Sequence, residues 1–292
     1  MTTGLLVDAS AFPAVELTSN CDWTPYLDAI KTMPFVSGAR SSRVGTVDNP
    51  VTITMRFARR DPLDYGGLLG ANFRQALYWR CEAFADDDLT KRLFDSRPAS
   101  GLDRRVVPQL MREKLLPWGA DNGFRGDLPK RHVRLFPPGI HCPLACRPKV
   151  LRWTLYGPAF NPDRTAASHY DIGFAPVGLA VPIIRATGST ADYQPGDEVT
   201  RVAGGGLSVD PGTGRRLARI DLRLMPETQR NDIAVLVASV NNDLPVVWVP
   251  DKARPEVNAL WGFVGRLSGS TSHRWGQPAH TDTTISVEEW PE

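Results

Sequence analysis

Between Val51 and Phe57 apolar and polar residues alternate without a break, Val-Thr-Ile-Thr-Met-Arg-Phe. That is the period of a strand with one face buried. A turn-rich stretch, Arg60 to Gly67, and the segment Leu68–Phe73 follow. The period returns in Leu77–Phe84, where Leu77, Trp79, Cys81 and Ala83 share one face and Tyr78, Arg80, Glu82 and Phe84 the other. Asp86-Asp-Asp88 makes a polar turn, and Lys91–Ser96 reads as the returning strand. Strand, loop, strand, acidic turn and strand predict the front half of an antiparallel sandwich, with Trp79 and Trp153 inward.

The rest of the chain extends this pattern. Val106–Leu116 has room for a helical turn or two, and Lys130–Phe136 and Lys149–Tyr156 read as further strands. Gly157–Asp163 breaks the chain, and His169 to Ile184 is again β-like. In Arg216–Leu224 the alternation puts Ala218, Ile220, Leu222 and Leu224 inward. Pro226 opens a helix whose Ile233, Leu236, Val237 and Val240 follow the helical period. Leu244–Val249 reads as a buried strand, and Leu260–Leu267 and Thr284–Trp290 complete a sheet. Residues 1–45 hold apolar residues only in short bursts split by Pro13, Pro25 and Pro34, with one short helix between Trp23 and Met33. They read as an extended arm.

The expected organisation is an arm over 1–45, a β-sandwich over 46–165, and a small β-rich α+β domain over 166–292 with one packed helix at 226–241. Composition agrees with it. A chain of 292 residues with 42% hydrophobic residues can bury a core, and 25 Gly with 25 Pro leave little room for long helices. A formal charge of +2 lacks the basic footprint of a nucleic-acid binder. The N-terminus lacks a secretory pattern, and no run approaches the roughly 20 apolar residues of a membrane span. A soluble chain made in the cytosol is the expectation.

Four cysteines are too few for a disulfide scaffold. His141, Cys142 and Cys146 are the residues to examine for a metal, but a structural zinc takes two close ligand pairs. Here one pair stands alone, with Cys21 and Cys81 far along the chain, so buried or loop thiols are expected. Ser168-His-Tyr-Asp171 has the residue types of a catalytic triad. Neighbours in a strand point to opposite faces, however, so no relay is expected. The Asp86–Asp88 run lacks the spaced ligands of a calcium loop. No catalytic constellation, cofactor motif or phosphate-binding loop is evident, and the expectation is a protein without enzymatic activity or cofactor.

Leu77 to Ser96 resembles a segment of the tail-tip proteins of long-tailed bacteriophages, which carry a discoidin-like (galactose-binding-like) jelly roll. Trp118-Gly119, Arg131–Phe136 and Gly157–Pro162 fall in matching order. The final third is similar to the sheet-forming part of phage distal-tail-type proteins, through Pro245–Asp251 and Trp261–Leu267. The resemblance implies a structural virion protein in the tail tip, made in the host cytoplasm. It would form a ring with copies of itself and contact tail tube, hub and fibre proteins. Leu5, Leu6, Trp23, Tyr26, Leu27 and Ile30 are then candidates for contact between subunits, because an apolar arm suits a neighbour's surface. His141–Cys146 and the Arg-rich segment around Arg104 depart from the family's pattern. The alternative is a carbohydrate-binding module, with Trp118 and Phe124 stacking on sugar, whether a host surface glycan or another. A metal-dependent hydrolase on a β-sandwich is a third reading, against which stands the lack of clustered His and carboxylates.

Overall fold

The computed structural model describes residues 3–9, 15–31, 38–73, 76–98, 101–106, 139–160, 165–184, 189–194, 198–201, 207–210, 215–240, 244–253, 258, 261–268, 272–277 and 280–290. The first strands are β1 (Thr3–Asp8), β2 (Val15–Ser19), β3 (Trp23–Thr24), β4 (Ala39–Ser41), β5 (Val51–Phe57) and β6 (Leu63–Leu68). Next come β7 (Tyr78–Phe84), β8 (Arg92–Asp95), β9 (Arg104–Arg105), β10 (Ile140–Cys146), β11 (Val150–Tyr156) and β12 (Ala159–Phe160). β13 (Ala166–Ala167), β14 (Asp171–Ile172), β15 (Val177–Ile184), β16 (Thr190–Gln194), β17 (Glu198–Arg201), β18 (Leu207–Asp210) and β19 (Arg215–Pro226) follow. Helix α1 (Glu227–Val240) precedes β20 (Val246–Val249), β21 (Phe263–Leu267), β22 (Ser272–Gln277) and β23 (His280–Glu289). The fold is mainly β, with sheets packed as a sandwich.

One sheet runs β2-β5-β11-β7-β8, with β9 added to β7. The other is ten-stranded, β10-β6-β15-β1-β20-β21-β23-β19-β16, with β22 on β23. The alternation along β5 is realised residue by residue: Val51, Ile53, Met55 and Phe57 are buried and the residues between them are not. With Trp79, Cys81, Leu151, Trp153 and Leu155 they pack against Leu63, Leu68, Ile140, Cys142 and Leu144 of the facing sheet. Trp79 and Trp153 are inward, on neighbouring strands of one sheet, with ring centroids 6.0 Å apart. Glu82 was expected to face out, and it does, yet it is only 3% exposed. Arg80, Arg92 and Arg152 close over it, at 2.5, 3.3 and 2.7 Å.

The arm gives way to a different arrangement. β1 is an interior strand, paired with β15 from Thr3↔Ile184 to Asp8↔Leu179 and with β20 from Leu5↔Val249 to Asp8↔Val246. Both of its faces are covered. Leu6 joins Trp248, Phe263 and helix residues Ile233, Leu236 and Val240. Leu5 and Val7 join Tyr65, Leu69, Phe174, Val247 and Val249. Strands buried on both faces read as continuous apolar runs rather than alternations, which is why Leu-Leu-Val looked like an isolated burst. β2 also comes from the expected arm and pairs with β5 in the sandwich. Between Trp23 and Met33 the described helical structure is a single 3-10 turn, Leu27–Ile30.

The boundary expected near residue 165 is crossed by pairing, since β15 meets β6 at Val177↔Gly66 and β1 at six further positions. The ten-stranded sheet curls enough to bring its β10 end against the turn before β21. There His141 lies against Gly262, while Arg216 Nη1 donates to the Gly262 carbonyl at 3.1 Å. Helix α1 fills the expected position at Glu227–Val240, with Pro226 closing β19 just before it. The expected helical turns in 106–116 and the strand at 130–136 lie outside the described residues beyond Val106.

Candidate functional site

Three short strands, β3, β4 and β14, form a small sheet of their own, with Thr24↔Arg40 and Asp171↔Arg40 as partners. It borders a cleft of about 530 Å³ lined by Thr24, Gly38, Ala39, Arg40, Gly70, Asp171, Ile172 and Gly173. The charged side chains come from strand neighbours. Arg40 donates from Nε to Asp171 Oδ1 at 2.7 Å and from Nη2 to Oδ2 at 3.2 Å. His169 Nε2 lies 3.3 Å from Asp171 Oδ2. The hydrogen bond that Arg40 donates to Asp171 pushes its guanidinium further up from its already high value.

The segment that carries His169 and Asp171 is fixed from behind. Tyr170, between them, is fully buried. Its hydroxyl donates to the Gly157 carbonyl at 2.8 Å and accepts from Gly45 N–H at 3.0 Å, and its ring meets Phe73 edge-on at 5.7 Å. Burial pushes its phenol up to about 12. Asn72 supplies a second clamp, accepting from the Asp171 N–H at 2.8 Å and donating to the His169 carbonyl at 3.2 Å. Tyr170, just before β14, points into the core, and His169 and Asp171 on either side of it stay partly exposed, at 18 and 34%.

Residues two apart share a face, so the Ser168–Asp171 run does bring one pair together, His169 with Asp171, although the triad was dismissed as a unit. Gly70, at φ 60°, turns the chain out of β6 towards Asn72 and allows Gly173 N–H to reach the Leu69 and Gly70 carbonyls at 3.1 and 3.0 Å. Chemically the cleft offers a row of donors and acceptors with little net charge. A guanidinium has five N–H groups; two are spent on Asp171 here. The carboxylate keeps acceptor capacity beyond its contacts with Arg40 and His169.

The residues singled out from sequence fare differently. Trp118 and Phe124 lie outside the described residues. His141 and Cys142 are neighbours on β10 and point to opposite faces. His141 Nδ1 lies 2.8 Å from the Tyr65 hydroxyl, and burial, with Arg216 nearby, pushes its imidazole down to about 3. Cys142 faces the sandwich core next to Cys81, which is distant in sequence but adjacent in space. Burial and the hydrogen bond to Cys142 push the Cys81 thiol well above its usual value. Burial pushes Cys146 up to about 11. Among the described residues no group of three or more His, Cys, Asp or Glu is arranged to hold a metal ion.

Of the contact candidates, Leu5, Leu6, Leu27 and Ile30 are buried within the chain, at 4, 0, 8 and 0% exposed, so their apolar surface is used internally. Trp23 packs partly buried against the sandwich core. Tyr26 is 62% exposed, two residues beyond Thr24 at the cleft.

No family model matches the chain, and no curated protein matches it. Among solved structures it is similar to CpGH89CBM32-6 produced by Clostridium perfringens, with a TM-score of 0.35 and 5% identity over 58% of this chain and 97% of that one. It is also similar to CBM32-3 from a family 31 glycoside hydrolase from Clostridium perfringens, with a TM-score of 0.36 and 13% identity over 59% and 94%. What its own strands establish is the class: a mainly β chain built as a sandwich of antiparallel sheets.

Proposed function

We propose that the cleft beside Arg40 and Asp171 binds a neutral saccharide. The observation that carries this reading is the exposed Arg40–Asp171 pair at the wall of a cleft with three glycines in its lining. Sugars present adjacent hydroxyls that each donate and accept. A guanidinium and a carboxylate held in one plane offer a donor and an acceptor at matching spacing. Their charges offset each other, which favours a neutral polyol over an anion. Glycines at positions 38, 70 and 173 let a ring approach the backbone closely. The protein acts as a binding module.

Saturation-transfer NMR with a panel of neutral mono- and disaccharides tests this. Signals from at least one sugar, lost in Arg40→Ala and in Asp171→Ala, are expected. Arg40 is 60% exposed and Asp171 34%, and neither belongs to the apolar core, so these variants keep the fold. No signal from any sugar at millimolar concentration, or signals indifferent to both substitutions, rejects the reading.

A second reading, a ring-forming structural component of a phage tail tip, is favoured by one observation. Leu179 and Ile184 of β15 and Val235 of α1 are 47, 49 and 69% exposed, and Gln229 ties the helix to the Pro182 carbonyl of that strand at 2.9 Å. Exposed apolar groups on both the strand and the helix suit self-association. Mass in solution separates the readings: closed oligomers at micromolar concentration support a ring component, and a monomer that binds sugar supports the module alone.

A further inference from the structure

Cys81 and Cys142 are distant in the chain but lie in one core cluster, both as thiols, 0 and 2% exposed. They come from opposite sheets, Cys81 from β7 and Cys142 from β10, and their side chains hydrogen-bond across the interior. Packed sheets stand about 10 Å apart, yet Cα atoms of β10 and β8 approach within 8 Å of each other. Small residues account for the pinch. Cys142 pairs with Gly66, and a Cβ on Gly66 would lie 3.3 Å from both Leu151 Cδ2 and Trp153 Cζ2 of the facing sheet. Trp153 is in turn the strand partner of Cys81. A glycine and two cysteines therefore meet where larger side chains would hold the sheets apart.

We propose that Cys81 and Cys142 are a disulfide site, joined when the chain folds in the presence of a small disulfide such as oxidised glutathione, and that the bond ties the two sheets together. A disulfide needs its sulfurs about 2.05 Å apart, so thiols already in contact have a short movement to make. Cys81 is held in place, its N–H donating to Ser96 Oγ and its carbonyl accepting from Ser96 N–H, both at 2.9 Å. β10 has the freedom to close. It is the terminal strand of its sheet among the described residues, Gly66 beside it adds no side chain, and its register with β6 shifts between Pro143 and Cys146. The chemistry is thiol–disulfide exchange. One protein thiolate attacks glutathione disulfide and displaces a glutathione thiolate. The other protein thiolate then attacks the protein sulfur of the mixed disulfide and displaces the second glutathione. Two electrons and the two thiol protons leave the protein with the two glutathiones. Burial holds the Cys81 thiol well above its usual value in the folded protein, so exchange belongs to the folding chain, before the sheets close.

The test refolds the full chain from urea with reduced and oxidised glutathione, and in parallel with a reducing agent alone. Mass spectrometry of non-reduced tryptic digests should find peptide 81–91 linked to peptide 135–149. The second peptide holds both Cys142 and Cys146, so variants assign the bond. The link should persist in Cys146→Ser and be lost in Cys142→Ala. Cys81→Ala, on the other sheet, should lose it too, which keeps the assignment readable if one buried variant fails to fold. The bond closes a loop of about 60 residues, and the oxidised protein should melt roughly 5–10 °C above the reduced one. Four thiols still titrating after oxidative refolding overturns the proposal. So does a bond through Cys21 or Cys146, a covalent dimer in place of the internal link, or an oxidised protein that melts no higher than the reduced one.

Discussion

Gly262→Ala probes the point where the β10 end of the ten-stranded sheet meets the turn before β21. A methyl group on Gly262 would lie 2.6 Å from the Asn258 carbonyl oxygen and 2.8 Å from His141 Nε2. Neither neighbour is free to retreat. Asn258 is 2% exposed and is held at both ends of its amide by Asp251, accepting at 2.9 Å and donating at 2.6 Å. His141 is held by the Tyr65 hydroxyl at 2.8 Å. Adding a methyl to a packed interior costs about 1–3 kcal/mol, and two pinned neighbours place this site at about 3. For a chain of this size that lowers the melting temperature by roughly 5–10 °C. The assay is thermal and urea unfolding of four proteins: parent, Gly262→Ala, His141→Ala and the double variant. Removing the imidazole relieves the His141 side of the clash and leaves the Asn258 carbonyl oxygen in place, so Gly262→Ala should cost about 1 kcal/mol less in the His141→Ala background. A melting temperature within about 1 °C of the parent, or an equal cost in both backgrounds, refutes the account of this contact.

Two further predictions concern the same interior. His141 is neutral in the folded protein, with a pKa near 3 against 6.5 in the unfolded chain, so the unfolded chain takes up the proton first and stability falls as pH drops from 6.5 towards 3. Between pH 6.5 and 5 the loss from this residue is about 1–2 kcal/mol, and His141→Gln should flatten that part of the urea-unfolding pH profile; a profile identical to the parent's argues against a neutral buried imidazole. Deleting residues 1–9 removes β1 and uncovers Trp248 and Val181, so near-ultraviolet circular dichroism should collapse; a soluble protein with a native spectrum would return those residues to the status of an arm.

Much of the sandwich was legible because half-buried strands carry their period in the sequence. β5, the inward set Trp79, Cys81 and Ala83, and the run Ala218, Ile220, Leu222 were all readable in this way. Helix α1 was readable from Ile233, Leu236 and Val240. β20 was recognised from Val-Val-Trp-Val, a four-residue apolar run. β1 failed by the same rule, because Leu-Leu-Val is shorter and lies among turn residues, and only its partners at 177–184 and 246–249 reveal it as interior. The cleft was not legible. Arg40, Asn72 and Asp171 come from three distant segments, and each is ordinary alone. The available signal was the run His169-Tyr-Asp171, where an apolar residue between two polar ones marks a shared outward face.

The placement of β1 has a consequence for how the chain is made. Leu6 leaves the ribosome ahead of its partners Val181 and Trp248, which follow about 175 and 240 residues later. The sandwich strands β5, β7 and β11 can pair long before then. Throughout that interval an apolar strand with two unsatisfied edges must wait, and chains that expose such edges aggregate. Yield should therefore respond more to synthesis rate and chaperone supply than the stability of the finished fold would suggest.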